Sequence, residues 1–413
     1  MIKGFKVKLK VNNKENKKLF ESAGVSRWAY NYTLARIEEH FKKTGKFLGD
    51  CEIRKEITVL KQTEKYLWLY DYSNNITKQA VKDACNSFKN FFRELKKGKK
   101  ELLDVVKKKL SQGKMKVEDI TIKDCKHYPR FKSKKKSDPK FYQDTDKIKF
   151  KNGKVRIEKV GWIRLTEKDR IPDNAKYINP RVSYDGQNWF VSVGVEFEND
   201  NSNTQYSNGI GIDVGVKDIA ITSDGKKYKN INKDKKIRGY KKLMKRLQRK
   251  VSRQYEKNKI KTKGGESHYQ KTNNIIKTEN KIRKLHIRLT NIRTDYIHKI
   301  TTNLVKTKPE FVAMEDLNIK GLMKNKHLSK SVQEQKLYEF KRQLGYKCDC
   351  KAIKLIEVDR WFPSSKTCNA CGKIKKDLKL SDRTYICECG YNEDRDFNAA
   401  LNLRDYGLKL MAN

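Results

Sequence analysis

GIGIDVGVKDIAITSDG, residues 209–225, decides how the second half of the chain is read. Its apolar residues fall at every second position. Ile210, Ile212, Val214 and Val216 take one face of a strand, and Gly211, Asp213 and Gly215 take the other. A tight turn and a second strand follow. One carboxylate therefore projects from a buried strand, and the glycines beside it leave room for something bulky. A strand-end Asp that caps a turn has the same pattern, so Asp213 alone does not separate a site from a turn.

Two later stretches repeat the theme. In EFVAMEDLN (310–318), Glu315 follows the apolar run Phe311 to Met314, while its neighbour Asp316 points to the opposite face. A charge there costs several kcal/mol unless it is paired or metal-bound. In NEDRDFNAALNLRD (392–405), Asp394 and Asp396 precede Phe397, Ala400, Leu401 and Leu403, the spacing of a helix that begins near Asp396. Acidic residues at a helix start are also favoured by the dipole alone. The combination says more than any member. Two strand carboxylates and a helix carboxylate can converge on hard divalent cations. A pair of Mg²⁺ ions so held orients water and stabilises the leaving oxygen in phosphodiester hydrolysis.

Just ahead of the third stretch lies a cysteine cluster. Cys368 and Cys371 form a C-x2-C pair, and Cys387 and Cys389 follow after fifteen residues. This nearly matches a structural zinc ribbon, whose four thiolates leave no open position on the metal; the second half is one residue short. Cys348 and Cys350 read as ordinary cysteines of an upstream turn. Nine cysteines, six of them between Cys348 and Cys389, suit a reducing cytoplasm with one metal site better than a disulfide framework.

The 413 residues carry 97 Lys plus Arg against 50 Asp plus Glu, a net charge of +47. Such an excess repels itself unless a polyanion neutralises it, and nucleic acid is the first candidate. No basic amphipathic helix with a bulky apolar face, no lipidation signal and no long apolar run points to a membrane. The opening MIKGFKVKLKV alternates like a strand and lacks the apolar core of a signal peptide.

The chain reads as a multidomain α+β protein. Residues 1–12 and 128–198 form an amino-terminal β-barrel, with hairpin turns at Asn152-Gly153 and Asp185-Gly186. Helices over 13–127 are inserted into it, including a lysine-rich segment around 96–126, and 199–208 is a polar linker. Mixed α and β structure occupies 209–361 and 390–413, with long charged helices over 240–305 interrupted near 261–267 and a further helix over 330–346. The cysteine ribbon spans 362–389.

GIDVGVKDIAITSDG, VAMEDLNIKGL, DRWFPSSKTCNACG and DRDFNAALNL stand in the order that resembles TnpB, the transposon-encoded RNA-guided nuclease, and its relatives, the compact type V CRISPR effectors. SRWAYNYTLA, FKNFFREL and YPRFKSKKK resemble the same family, so the likeness spans nearly the whole chain. It implies a split RuvC nuclease domain of RNase H-like fold, with Asp213, Glu315 and Asp396 as catalytic, Mg²⁺-holding carboxylates. Of the last cluster it selects Asp396 over Asp394. It also implies a guide RNA and a target DNA with a short adjacent motif read by a wedge-type barrel and its helical insertion. By position in the matching segments, Arg27, Lys78, Gln79, Arg130 and Lys132 are expected at nucleic acid, each having a solvated-surface alternative. A prokaryotic cytoplasmic location follows, and monomer and dimer both stay open. The competing readings are a nuclease-inactive RNA-guided repressor, a DNA transposase, and a zinc-ribbon RNA-binding protein. Intact Asp213, Glu315 and Asp396 argue against the first and last, and the split motifs with their ribbon favour a nuclease over a transposase.

Overall fold

The structure is a computed structural model that describes residues 2–98, 101–113, 116–134, 137–197, 208–261, 267–379 and 382–412. The chain divides into two units, Met1–Glu198 and Asn199–Asn413. Apart from Asn208, the expected linker lies outside the described residues.

In the first unit, strand β1 (Ile2–Lys10) leads into helix α1 (Asn13–Thr44). A capping box sets the start of α1: the Asn12 side chain accepts from the Glu15 N–H, and the Glu15 carboxylate accepts from the Asn12 N–H, both at 2.8 Å. Gly45 ends the helix in the left-handed region at φ 67°. Helices α2 (Asp50–Leu60) and α3 (Asn74–Lys96) bury Ile53, Ile57, Val81, Ala84 and Phe88 against Leu34 and Ile37 of α1. Helix α4 (Asp104–Ser111) lies in the lysine-rich segment.

Among the described residues, six more strands belong to this unit: β2 (Lys140–Tyr142), β3 (Lys149–Lys151), β4 (Lys154–Ile157), β5 (Gly161–Leu165), β6 (Tyr177–Tyr184) and β7 (Trp189–Glu196). Asn152 and Gly153, at φ 50° and 66°, make the two-residue turn that joins β3 to β4. Asp185-Gly186 instead opens a longer loop, in which the Asp185 carboxylate accepts from the N–H groups of Gln187 and Asn188, both at 2.8 Å.

The expected barrel is not closed. The seven strands run in the order β2-β6-β7-β1-β5-β4-β3, with β2 and β3 as unpaired edges. Both edges are three residues long. The segment between them turns back on itself, with the Ile148 N–H on Asp144 O at 3.0 Å, instead of carrying one edge alongside the other. The sheet still curls around one core: Phe141 of β2 and Phe150 of β3 join the same buried cluster, and Phe150 lies 4.8 Å from the Tyr177 ring of β6. Curvature is helped by a register break between Ile178 and Arg181, where Asn179 has φ 48° and Pro180 offers no N–H.

In the second unit, β8 (Ile210–Asp213), β9 (Asp218–Thr222) and β10 (Lys227–Lys229) form an antiparallel meander. Two long helices, α5 (Lys235–Lys257) and α6 (Asn273–Lys306), flank a small hairpin of β11 (Lys259–Lys261) and β12 (Ser267–Tyr269). Strand β13 (Phe311–Glu315) and the short helix α7 (Ile319–Lys324) follow. The single helix expected over 330–346 is divided into α8 (Ser329–Gln335) and α9 (Leu337–Asp349), because Lys336 between them adopts φ 55°. Strand β14 (Lys354–Val358) completes a sheet ordered β10-β9-β8-β13-β14, in which β8, β13 and β14 are parallel. A second hairpin, β15 (Thr384–Ile386) and β16 (Asn392–Asp394), runs directly into helix α10 (Arg395–Ala412).

The two faces of this sheet bury different partners. Ile210, Ile212, Val312 and Met314 pack among Ile297, Leu304, Phe340 and Leu344 of α6 and α9. Phe311, Ala313, Ile356 and Val358 pack under Leu403 of α10. On that second face Gly211 has a defined task. A Cβ there would lie 2.0 Å from the Ala400 carbonyl oxygen and 2.4 Å from the Arg404 nitrogen, so the α10 backbone rests directly on β8. The bulky object for which the sequence leaves room beside Asp213 is, at Gly211, this helix. We expect Gly211→Ala to cost about 3 kcal/mol in denaturant unfolding, the upper part of the overpacking range, because backbone rather than a flexible side chain must yield. An unchanged midpoint would show that α10 does not seat on β8.

Candidate active site, metal centre and nucleic-acid cleft

The last register pair between β8 and β13 is Ile212 with Met314, so Asp213 and Glu315 stand level at the ends of adjacent parallel strands. Alternation puts both on the α10 face, and neighbouring strands lie about 4.8 Å apart. Asp396 occupies the first turn of α10 on the same face. Burial, then the charges of Asp396 and Glu315, push the Asp213 carboxyl up from its ordinary 3.8 to about 7, which Arg395 only partly offsets. Glu315 is also raised, by burial first and by Asp316 second. Asp316 itself faces away, bound to Lys341 at 2.8 Å and Arg360 at 2.9 Å.

Asp394 has a different duty from Asp396. Its Oδ1 accepts the N–H groups of Asp396 (3.0 Å) and Phe397 (3.1 Å), and its Oδ2 accepts from Lys227 Nζ at 2.9 Å. Burial would raise this carboxyl, but Lys227 and the helix N–H groups hold it below the ordinary range. Asp396 is met by Arg395 at 2.9 Å and, more distantly, by Arg383 at 3.9 Å. Sequence reasoning passed over both arginines, although Arg395 sits inside the D-R-D run.

Among the described residues, one group of metal-ligand side chains closes tightly: the sulfurs of Cys368, Cys371, Cys387 and Cys389 all lie within 4.8 Å of one another. Cys368 to Cys389 is 3.7 Å and Cys371 to Cys387 is 3.6 Å. A tetrahedron with zinc–sulfur bonds of about 2.3 Å has edges of about 3.8 Å, so four thiolates at these separations fit zinc. They are far beyond the ~2.05 Å of a disulfide. The shortened Cys387-x-Cys389 half closes because Gly390, at φ 87°, turns the chain tightly enough for its N–H to reach Cys387 O at 3.0 Å. The thiols share ionisation unevenly. The Cys389 N–H draws Cys387 down to about 7. Cys389, despite the lowering influence of the Tyr391 N–H, is pushed up to about 12 by the neighbouring sulfurs and burial.

The ribbon is fastened to the helix that carries Asp396. Buried Asn398 donates to Thr367 O (2.8 Å) and accepts from the Asn369 N–H (3.1 Å). Buried Asn402, one turn on, donates to Ser364 O (2.8 Å) and Thr367 O (2.7 Å). Neither asparagine was singled out from the sequence. The available signal was two amides four residues apart within the otherwise apolar stretch Phe397–Leu403.

In the first unit, three of the five expected nucleic-acid residues share one cleft. Arg27 of α1, Gln79 of α3 and Lys132 line it, together with Lys140 and Arg181, which sequence reasoning missed. Asp83 answers part of the charge, accepting from Gln79 at 2.8 Å and Arg181 at 3.4 Å. Asn31 fixes Lys132 by gripping its backbone through two hydrogen bonds of 2.8 and 2.9 Å. The Lys132 ammonium lies 3.3 Å from the Tyr30 ring centre, and burial, followed by Lys140, lowers its pKa to about 8. Lys78 is exposed and does not line this cleft, and Arg130 donates to Lys123 O at 3.2 Å instead of lining it. No helix among the described residues is long and apolar enough to cross a membrane.

Three family models match the chain. Residues 192–326 match the OrfB family of IS605 elements, described as "Probable transposase", and residues 338–403 match a "Cas12f1-like, TNB domain". Residues 1–46 match an OrfB "Helix-turn-helix domain", although here that stretch is one strand and one 32-residue helix. A protein of Streptomyces pristinaespiralis named "Putative RNA-guided DNA endonuclease" is 28% identical over 99% of this chain and 90% of its own length. The Escherichia coli K12 protein named "Putative RNA-guided DNA endonuclease InsQ" is 26% identical over 100% and 94%. Among solved structures, the mini-RNA-guided endonuclease CRISPR-Cas_phi3 covers 98% of this chain and 92% of its own, at 9% identity and a TM-score of 0.47.

Proposed function

We propose that the chain is a member of the TnpB/OrfB family and an RNA-guided DNA endonuclease whose second unit is a RuvC-type nuclease. One observation carries this reading: Asp213 and Glu315 end adjacent parallel strands in register, beneath the helix that presents Asp396. The sheet order, a three-stranded meander extended by two parallel strands, supports an RNase H-like assignment. Asp213, Glu315 and Asp396 offer the hard oxygen donors that suit Mg²⁺, and the Asp213 carboxyl is raised by burial first and then by the charges of Asp396 and Glu315. These three carboxylates would hold Mg²⁺, which when bound would supply activation of a water and neutralisation of charge on the cleaved phosphate. Arg395 and Arg383 hold the Asp396 carboxylate in place, while Asp394 and Lys227 fix the helix start. The four-cysteine ribbon, fastened to α10 by Asn398 and Asn402, steadies that helix.

The net charge of +47 suits two nucleic-acid partners, a guide RNA and the target DNA paired with it. The cleft of Arg27, Gln79, Lys132, Lys140 and Arg181 is where the first unit would meet them.

The test is cleavage by the protein purified with its co-expressed RNA. With Mg²⁺ and a target library carrying randomised flanks, we expect cuts confined to guide-matched DNA beside one short motif. A complex that binds matched DNA without cutting it would replace this reading with the repressor. Joined strand-transfer products would replace it with the transposase.

A further inference from the structure

The segment DRWFPSSK (359–366) leaves the acidic end of the sheet, and its tryptophan takes no part in anything described above. Trp361 is 85% exposed, in a protein whose large apolar side chains are mostly packed away. Its neighbours are held. On one side Arg360 bonds Asp316 at 2.9 Å. On the other, Phe362 packs on the Tyr406 ring of α10, with centroids 4.8 Å apart. The backbone at the apex is pinned as well: the Trp361 N–H donates to Asp359 Oδ1 at 2.7 Å and the Phe362 N–H to Asp359 O at 3.0 Å. The indole is therefore displayed from a fixed turn and not left over from a loose loop. Holding an indole in water forgoes burial of the kind that stabilises most tryptophans, which calls for an occupant.

Position names the occupant. Val358, three residues earlier, pairs with Glu315 across the parallel ladder. Strand spacing and chain reach put the Trp361 backbone no more than about 16 Å from Glu315. An aromatic face so close to a cluster of carboxylates proposed to cut DNA matches what single-stranded nucleic acid requires, since every base has a face to stack. We propose that Trp361 stacks on an unpaired base of the DNA strand entering the carboxylate site and so sets which phosphate lies over Asp213 and Glu315. The indole face reads no base edge, so the contact tolerates any sequence. This rests on the nuclease reading and adds to it a substrate-positioning residue.

The test has two parts. Trp361 is the only tryptophan after residue 189. Titrating the Asp213→Ala protein with an oligothymidine strand should quench fluorescence, and the quench should vanish when Trp361→Phe is added. In single-turnover cleavage by the RNA-loaded complex, we expect Trp361→Ala to cut about 10-fold more slowly or at shifted positions and Trp361→Phe to recover within about 3-fold, in line with stacking strengths. Abasic nucleotides placed one at a time near the cut should slow the wild type at one or two positions, with no added effect in Trp361→Ala. Melting should be unchanged in both variants. Wild-type rate and cut positions in Trp361→Ala, or an identical abasic profile, would overturn the proposal. So would a change of assembly mass on substitution, which would make Trp361 a subunit contact. If the wild type is inactive on matched DNA, the nuclease reading fails while the quench still decides whether Trp361 meets a strand. If the wild type cuts and no quench appears, Trp361 alone fails.

Discussion

Asp213→Asn is expected to abolish cleavage, by about 10³-fold or more, and to make the Mg²⁺-free protein more stable. The sign follows from where the proton sits. In the folded chain the Asp213 carboxyl keeps its proton up to about pH 7, whereas its ordinary value is 3.8. Between those values the folded state binds more protons than the unfolded one, so stability falls as pH rises, by about 1.4 kcal/mol per unit, and levels off above pH 7. Asparagine removes the charge that burial, Asp396 and Glu315 oppose. We expect a gain of roughly 2–4 kcal/mol at pH 8 that disappears near pH 4, measured by urea unfolding in Mg²⁺-free buffer. An equal gain at both pH values would disprove the crowding of the three carboxylates. Full cleavage by the variant would remove Asp213 from the site.

Cys368→Ser with Cys371→Ser carries the second large effect. Two of four thiolates are lost, and structural zinc bound by such sets contributes roughly 10–16 kcal/mol in isolated peptides. Zinc should fall from about one ion per chain to near zero by elemental analysis, and the ribbon should lose its fold. The consequence extends beyond the ribbon, because Asn398 and Asn402 grip the backbone of the first cysteine turn at Thr367 and Ser364. With that turn disordered, both buried amides lose their partners, at about 1–3 kcal/mol each, and the start of α10 loosens with them. Cleavage should therefore drop although no carboxylate has changed. Retained zinc would reject the four-thiolate assignment, and zinc loss with full cleavage would reject the link to Asp396.

What could be read from the sequence was local. The Asn152-Gly153 turn follows from two adjacent residues with one favoured conformation, and it forms. Alternation placed Asp213 and Glu315 at strand ends on definite faces, which the register of β8 and β13 then brought level. What could not be read depends on partners distant in sequence. Whether β2 and β3 pair is decided by how far the sheet curls, not by either three-residue strand. Lys140 and Arg181 reach the cleft only because β2 and β6 lie side by side opposite Arg27 and Gln79. Gly211 read only as room for something bulky because alternation shows that a position is open and not what fills it. The break at Lys336 escaped because a lysine at positive φ leaves no mark on the helical pattern around it.

The close seating of α10 on β8 also has a consequence for how the protein is made. Synthesis runs from the amino terminus, and the helix that covers Phe311, Ala313, Ile356 and Val358 begins only at Arg395. Until that stretch leaves the ribosome, the nascent sheet presents an apolar face to water and an incomplete set of carboxylates. A ribosome stalled before Arg395 would thus release a sticky fragment suited to chaperones and proteases, and one without the third acid. Order of emergence delays the complete site until the chain that carries it can close.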